Sequence, residues 1–455
     1  MLAAGKGTRM KSETPKALFP ICGVPMAELV GRAMREAGVK KPVMVVGQFV
    51  EQAREALGKN YIYAIQKKQL GTADACRTGL EALGDYNGYV LVASADTPLV
   101  TKEVFSTLFS KAKESKAICA LATCEMSDPT GYGRIVRDDS GYLKRIVEEA
   151  DAAREEKKIS EVCTSVYVFD AKSLRNALSK LRPSKKGEFY LTDVIELFSE
   201  RGNCIVVKFA DSKTFLGVNT RWHLAEAEKI LRMQILQRHA QEGVTIRDPH
   251  TTYIHFDVRI GKDTNIEPMT FLEGKTRIGE RCQIGPCTKI KDCSIADECS
   301  VLLSHLQEAV IGKGTRVGPF ANVRTGTKIG ENARIGNFVE VKNSEIGKNA
   351  SIAHLSYIGD STVGESANVG AGTITCNFDG FQKNRTVIGA GAFIGSNTTL
   401  IAPVTIGDRA ITGAGSVINE DVPPDALAIG RAKQINKENW AKEWRQKRTK
   451  RAKKS

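Results

Sequence analysis

Long apolar runs are missing from the chain: no window reaches the roughly 18 apolar residues that a bilayer span requires. The first residues lack the basic-then-apolar layout of a secretory signal, so a cytoplasmic protein is expected. Paired thiols are missing too. The eleven cysteines include no CxxC, and Cys282, Cys287, Cys293 and Cys299 are spaced 5, 6 and 6 apart. That spacing fits a structural repeat better than a zinc site, and reduced, packed thiols are the reading. The common nucleotide loops are absent as well. No GxxxxGK[ST] occurs, and after Gly5-Lys6-Gly7-Thr8-Arg9 the third glycine of a dinucleotide loop is replaced by Met10.

What is present describes a folded chain. At 455 residues, 42% hydrophobic and 26% charged, it is long enough for two or three domains. The net charge of +14 points toward nucleic acid only until its distribution is read. From Trp440 to Ser455, eight Lys/Arg face one Glu, so half of the excess sits in a tail. That tail reads as disordered and solvated, with at most non-specific contact to anions. Neither a membrane nor a specific nucleic-acid partner is expected.

Two periodicities divide the rest. Up to about residue 217, β-branched runs (43–49, 89–94, 117–123, 162–169, 205–209) alternate with amphipathic stretches such as 50–57 and 102–113. This alternation predicts an α/β domain with a parallel or mixed sheet. Residues 221–242 lack Gly and Pro, and Leu224, Ala227, Leu231 and Ile235 share one helical face, which predicts a connecting helix ended by Gly243. Beyond it aliphatic residues recur every six positions, from Ile278, Ile284 and Ile290 through Ile311, Val317, Val323, Ile329, Ile335 and Val341. The count continues to Ile388, Ile394, Leu400 and Ile406, then Ile411 and Val417. A six-residue repeat builds a parallel β-helix. The count gains four residues between Val301 and Ile311 and thirteen between Val369 and Ile388, and insertions in a solenoid are expected to carry function.

Two oxygen-bearing residues end strand-like runs in the first part. Asp96 follows YVLVAS, at the carboxyl end where α/β sheets bind ligands, although it also reads as a helix cap before Thr101. Asn219 follows FLGV and reads equally as an N-cap of the 221–242 helix. Asp plus Asn, completed by phosphate oxygens and water, suits Mg²⁺.

LAAGKGTRM followed by Pro15-Lys16 resembles the signature of sugar-1-phosphate nucleotidylyltransferases. With QLGT, PTGYGRI, IVEE, HLSYIGD and GAGTITCN, essentially the whole chain resembles the family of bacterial bifunctional UDP-N-acetylglucosamine pyrophosphorylase/glucosamine-1-phosphate N-acetyltransferases. The resemblance implies a Rossmann-like α/β nucleotidyltransferase domain (1–220), a linker helix (221–243), a left-handed parallel β-helix of hexapeptide repeats (244–431) and a basic tail (432–455). It implies that Leu2, Ala3, Ala4, Gly5, Gln66, Gly71, Thr72 and Ser94 contact UTP, with Gln66 on the uracil edge. Gly133, Glu148 and Cys163 fall at sugar-binding positions. Lys16 and Arg9 neutralise phosphates while a sugar phosphate attacks the α-phosphorus, with Mg²⁺ on Asp96 and Asn219. In the repeat domain His354 acts as base toward an amine attacking acetyl-CoA. Arg324, Lys342, Tyr357 and Asn368 surround the sugar phosphate, and Asn377 stabilises the oxyanion or orients the amine, next to Phe378. Ala371, Ser396, Ala414 and Arg431 line the coenzyme path. A homotrimer is implied.

The chain departs from the family pattern at several points. Ser94-Ala95-Asp96 stands for Tyr-Gly-Asp, Cys163-Thr164-Ser165 for Asn-Thr-Gly, and Phe378 for tyrosine. A thiol replaces an amide poorly as a partner for a sugar hydroxyl. Only Met1-Leu2 precede the Ala3-Ala4 of the loop, short for a first strand of about five or six residues, so a truncated or late start is expected. Two rivals stand beside the two-step enzyme. One is a single-function nucleotidylyltransferase whose solenoid only oligomerises, against which His354, Lys342 and Arg324 speak. The other is a scaffold binding nucleic acid through its tail, against which Lys16, Asp96 and Asn219 speak.

Overall fold

The computed structural model describes residues 1–5, 7–184, 187–199 and 203–452. It divides into two compact units, Met1–Arg238 with Ile254–Phe256, and His239–Tyr253 with Asp257–Ser455.

In the first unit the β-branched runs become strands Val43–Val46, Tyr89–Ala93, Cys119–Glu125, Glu161–Asp170 and Cys204–Phe209. Cys204–Phe209 lies parallel to Cys119–Glu125. Glu161–Asp170 runs antiparallel to both Cys119–Glu125 and Tyr89–Ala93. Val43–Val46 pairs in parallel with Ile62–Ile65. Leu2 joins these two sets. Its N–H donates to the Ala93 carbonyl at 2.9 Å and its carbonyl accepts from Ala95, while Ala3 donates to Val45 at 2.8 Å. The helices Val50–Leu57, Lys102–Glu114 and Arg221–Gln241 fall where the apolar spacing placed them. Ala227, Leu231 and Ile235 of the last are buried.

The second unit is a β-helix. Its strands, mostly two or three residues long, stack into sheets of 11, 10 and 9 members, each strand parallel to the one a coil away, as Gln283–Ile284 is to Ser300–Val301. Ile284, Ile290, Val301, Ile335 and Ile352 are fully buried rungs. Burial of one aliphatic side chain per short strand supplies about 1.5–3 kcal/mol each, which two-residue strands cannot gain from backbone pairing alone.

Three details differ from the six-residue count. Ile411 and Val417 point outward, 46% and 48% exposed, while Thr412 and Ile418 fill the interior at 1% and 5%. The step from Ile406 is therefore unbroken. An aliphatic count overlooks Thr412 because its hydroxyl is polar, yet inside the coil that oxygen accepts from the Gly395 N–H at 3.0 Å. Leu306 is a buried rung between Val301 and Ile311, so that stretch is two shortened steps and contains no insertion. Thr375, also fully buried, continues the rungs after Val369, so the later insertion is seven residues in place of thirteen.

The tail also differs. It forms the helix Trp440–Ala452, with every side chain exposed. The segment lacks Gly and Pro, and Trp440 stacks on Trp444 one turn on, with Arg448 5.1 Å from the Trp444 ring.

Ile406→Ala is expected to lower the unfolding free energy by about 2–5 kcal/mol, and Ile411→Ala by about 0.5. Chemical denaturation decides between them; equal losses would return Ile411 to the interior.

Candidate active sites

The glycine loop leaves the sheet between Val43–Val46 and Tyr89–Ala93, with Leu2 bridged to both. Gly7 has φ 61, and a Cβ there would lie 2.7 Å from Lys16 Cβ, so only glycine lets the loop close over Lys16. Lys6 lies outside the described residues.

Lys16 reaches the two expected oxygens. Its ammonium pairs with Asp96 Oδ2 and donates to Asn219 Oδ1 at 3.1 Å. Arg9 Nη2 donates to the same Asn219 oxygen at 3.0 Å, and Ser94 Oγ to Asp96 Oδ1 at 2.5 Å. The capping alternatives fall away. Thr220 Oγ1 accepts from the His223 N–H at the start of the Arg221–Gln241 helix, and Thr101 is the residue before the Lys102–Glu114 helix. Among the described residues no group of three or more His, Cys, Asp or Glu gathers as a metal cluster. One carboxylate and one amide oxygen converging on a single cationic nitrogen are a donor set for a hard ion with few protein ligands.

Leu2, Ala3, Ala4, Gly5, Lys16, Gln66, Gly71, Thr72, Ser94 and Asp96 line one cleft of about 460 Å³. Gln66, 4% exposed, donates from its amide to Asp74 Oδ2 at 2.8 Å and to the Gly71 carbonyl at 3.2 Å. Gly71 sits at φ 110, where a Cβ would lie 2.4 Å from the Phe189 carbonyl oxygen. Sequence reasoning missed Asp74, Gln69, Glu188 and Tyr190. Gln69 donates to the Ala4 carbonyl, and Glu188 and Tyr190 close the cleft. Gln69 stands in QKKQLGT itself, whereas Glu188 and Tyr190 reach the cleft from far along the chain.

Gly133, Glu148 and Cys163 form a group of their own. Cys163 N–H donates to the Gly133 carbonyl at 2.8 Å, and a Cβ on Gly133 would collide with Ile146 at 2.9 Å and stand 3.6 Å from Glu148 Oε2. Burial raises the Glu148 carboxyl above its ordinary range, against the Thr192 hydroxyl that donates to it at 2.8 Å. Cys163 faces the core. It is 3% exposed, its sulfur lies 3.0 Å from the Tyr167 hydroxyl, and burial pushes its thiol up to about 12. Ser165 occupies φ 60, at the shift in register between Cys119–Glu125 and Glu161–Asp170. That conformation favours the glycine of the family pattern.

In the β-helix His354 is exposed and stands in register with Asn337, whose Oδ1 lies 2.7 Å from His354 Nδ1. An amide oxygen there accepts from Nδ1–H, which favours the tautomer with its lone pair on Nε2. The backbone ladder continues along this corner. Asn397 N–H donates to Ala371 and Gly415 N–H to Ser396. The register pairs Ser351–Asn368, Asn368–Phe393 and Phe393–Ile411 carry His354, Ala371, Ser396 and Ala414 into successive coils of one column. Arg431 is exposed, with its side chain beside Gly415.

On the neighbouring face Arg324 pairs with Glu340 at 2.7 Å, and Glu340, Tyr357 and Ile374 are stacked in register, with Lys342 opposite Gly359. Asn377, 5% exposed, donates to Asp360 and lies 3.5 Å from the Tyr357 hydroxyl. Asn343 also donates to Asp360, at 2.6 Å. Phe378 is 56% exposed at the base of the insertion, with Lys383 4.9 Å from its ring. Asn337, Glu340 and Asp360 were missed, because each is recognisable only once the coils are stacked.

A nucleotidyl transferase family profile matches residues 1–222, and a bacterial transferase hexapeptide (six repeats) profile matches 308–343 and 385–420. The chain is 48% identical over 442 residues to the bifunctional protein GlmU of Geobacillus sp. (strain WCH70), covering 97% of this chain and 96% of that one. It is 45% identical over 442 residues to the protein of that name from Acetivibrio thermocellus, with the same coverage. The corresponding protein of Streptococcus agalactiae serotype V is 42% identical over 443 residues, again at 97% and 96%. A solved putative glucose-1-phosphate thymidylyltransferase from Bacillus anthracis aligns with 50% of this chain and 92% of its own, at 20% identity and a TM-score of 0.43.

Gly71→Ala forces a side chain into a left-handed position against Phe189 and is expected to destabilise the first unit by about 1–3 kcal/mol. A shift of the denaturation midpoint measures it; no shift would mean that the Phe189 backbone yields freely.

Proposed function

Because the chain belongs to the bifunctional GlmU family, we propose that it catalyses two consecutive reactions of UDP-N-acetylglucosamine synthesis. The first acetylates glucosamine 1-phosphate from acetyl-CoA. The second transfers uridylyl from UTP to N-acetylglucosamine 1-phosphate and releases pyrophosphate. The observation that carries the reading is the convergence of Lys16, Arg9, Asp96 and Asn219 beside a phosphate loop, in a chain that also holds the Asn337–His354 pair. Residues 1–220 are assigned to uridylyl transfer, 221–243 to the linker, 244–431 to acetyl transfer, and 432–455 to a tail outside both. UTP and acetyl-CoA are cytoplasmic metabolites, and both reactions are placed there.

In uridylyl transfer the phosphate oxygen of the sugar attacks the α-phosphorus and the bond to the β,γ-phosphates breaks. Lys16 and Arg9 neutralise the charge that builds on the phosphates, and Gln66 holds the base. Asp96 and Asn219 would hold Mg²⁺, which supplies charge neutralisation and a template for the phosphates. Gly133 and Glu148 border the sugar. No protein nucleophile takes part.

In acetyl transfer the 2-amino group attacks the thioester carbonyl and the coenzyme leaves as its thiol. His354 Nε2 takes the amine proton, and Asn337 holds the ring in the tautomer that can accept it. Arg324 and Lys342 meet the sugar phosphate, and Tyr357, Asn368 and Asn377 surround the sugar and the oxyanion. Ala371, Ser396, Ala414 and Arg431 mark the coenzyme's path along the column. Phe378 presents a bare ring, so it contributes stacking and no hydrogen bond.

The solenoid is assigned to a homotrimer, with the acetyl-transfer site completed between copies. The support is a corner column of bulky apolar residues in left-handed conformation: Leu303 (φ 43), Phe320 (φ 59), Phe338 (φ 56) and Leu355 (φ 48). Phe320 and Phe338 stack with centroids 5.2 Å apart and are 52% and 57% exposed. Bulky apolar side chains held outward at a strained corner are a surface that another chain covers.

His354→Ala is expected to abolish acetyl transfer, read as free coenzyme thiol, while pyrophosphate release from UTP and N-acetylglucosamine 1-phosphate persists. Asp96→Ala is expected to reverse that pattern, and loss of both activities in either variant would sink the two-site reading. Phe338→Glu is expected to give monomers by light scattering with acetyl transfer lost; an intact trimer would rule out this corner as the contact.

A further inference from the structure

The oxygens that the proposed ion needs are already engaged. Asp96 Oδ2 pairs with the Lys16 ammonium, and Asp96 Oδ1 accepts from Ser94. Asn219 Oδ1 accepts from both Lys16 and Arg9. The Lys16 and Asp96 side chains are 15% and 22% exposed, so water screens this pair only in part. One carboxylate therefore accompanies two cations, the Lys16 ammonium on Asp96 and both cations on the Asn219 oxygen, an arrangement with surplus positive charge. Arg9 itself is exposed, whereas Lys16 lies close under Gly7.

A divalent cation and an ammonium compete for Asp96 Oδ2, because their mutual repulsion at contact distance opposes binding both there. We infer that Lys16 is a resident counter-ion that holds the divalent-cation site closed until a nucleotide triphosphate draws the ammonium away. This rests on the assignment of Asp96 and Asn219 as the ion's ligands. The exchange is possible because the phosphate loop passes over Lys16, so phosphates bound in the cleft offer the ammonium an anionic partner a side-chain rotation away. Moving Lys16 and Arg9 onto phosphate frees Asp96 Oδ2 and Asn219 Oδ1 together. Metal and nucleotide then bind as a coupled pair, and each strengthens the other by the same factor. The metal alone meets an occupied carboxylate, and the nucleotide alone meets cations half committed to Asp96.

The test uses the full chain and Mn²⁺ alone, titrated by electron paramagnetic resonance of the free ion with no nucleotide or sugar phosphate present. Lys16→Gln is expected to tighten Mn²⁺ binding about tenfold over the unaltered protein, in the usual range of coupling between sites. Lys16→Arg keeps the charge and is expected to stay as weak as the unaltered protein, which separates a blocking charge from a change of shape. Circular dichroism checks that each variant is folded, and should Lys16→Gln not fold, Lys16→Met takes its place. Lys16→Gln binding Mn²⁺ no more tightly than the unaltered protein would overturn the counter-ion role while leaving the ligand assignment standing. A Lys16→Gln/Asp96→Asn double variant is expected to lose the gain. If it keeps the gain, the ion does not use Asp96, and the site assignment falls with the inference.

Discussion

Coil-to-coil pairing is the constraint on which the second unit depends. Each strand of two or three residues pairs with the strand one coil away, so residues a coil apart cannot slip relative to one another. A slip would expose rungs and orphan backbone groups at once. The same ladder that buries Ile335 under Ile352 therefore sets Asn337 beside His354. Function is carried on the outward and corner positions of a scaffold whose inward positions are fully committed. The seven-residue insertion before Ile388 leaves that register undisturbed because Thr375 completes its rung first.

The first unit works by a different economy of contacts. Its sheet is joined through Leu2, and the glycine loop, Ser94 and Asp96 lie just beyond the backbone that Leu2 pairs with. Cations then hold the site in order: the Lys16 ammonium lies on the Asp96 carboxylate, and the Arg9 guanidinium donates to the neutral Asn219 amide oxygen. Each cation of this cluster is thus positioned by the oxygens of Asp96 and Asn219. A site arranged this way can be rigid without ligand and still rearrange with one, because the exchange replaces one anion with another and never leaves a charge bare.

The departures at Cys163, Ser165 and Phe378 take on physical content in this setting. Cys163 is a core residue whose sulfur meets Tyr167, so the space beside Gly133 and Glu148 is bounded at that point by a packed wall. Ser165 accepts a backbone conformation that glycine adopts more cheaply. Phe378 keeps its ring exposed, and Lys383 has taken the face of that ring. Burial keeps the Glu148 carboxyl above its ordinary range, against the Thr192 hydroxyl that donates to it.

The sequence by itself determined the division into an α/β unit and a hexapeptide solenoid, most of the rungs and the strands. It could do so because those features depend on local periodicity and on residue types within a few positions. It took Ile411 and Val417 as rungs where Thr412 and Ile418 fill the interior, and it measured the insertions wrongly, because inward and outward are properties of a stacked coil and a buried threonine looks polar on paper. It named Lys16, Asp96 and Asn219, yet could not tell Asn219 from a helix cap, since residues 16 and 219 are brought together only by the closed sheet. Asn337, Glu340 and Asp360 were decided by tertiary structure alone, because stacking one coil on the next creates neighbours some 17 residues apart that no local pattern marks. The opening stretch shows the same division. Its glycines announce a phosphate loop, and only the pairing of Leu2 to both flanking strands reveals how so short a segment is held.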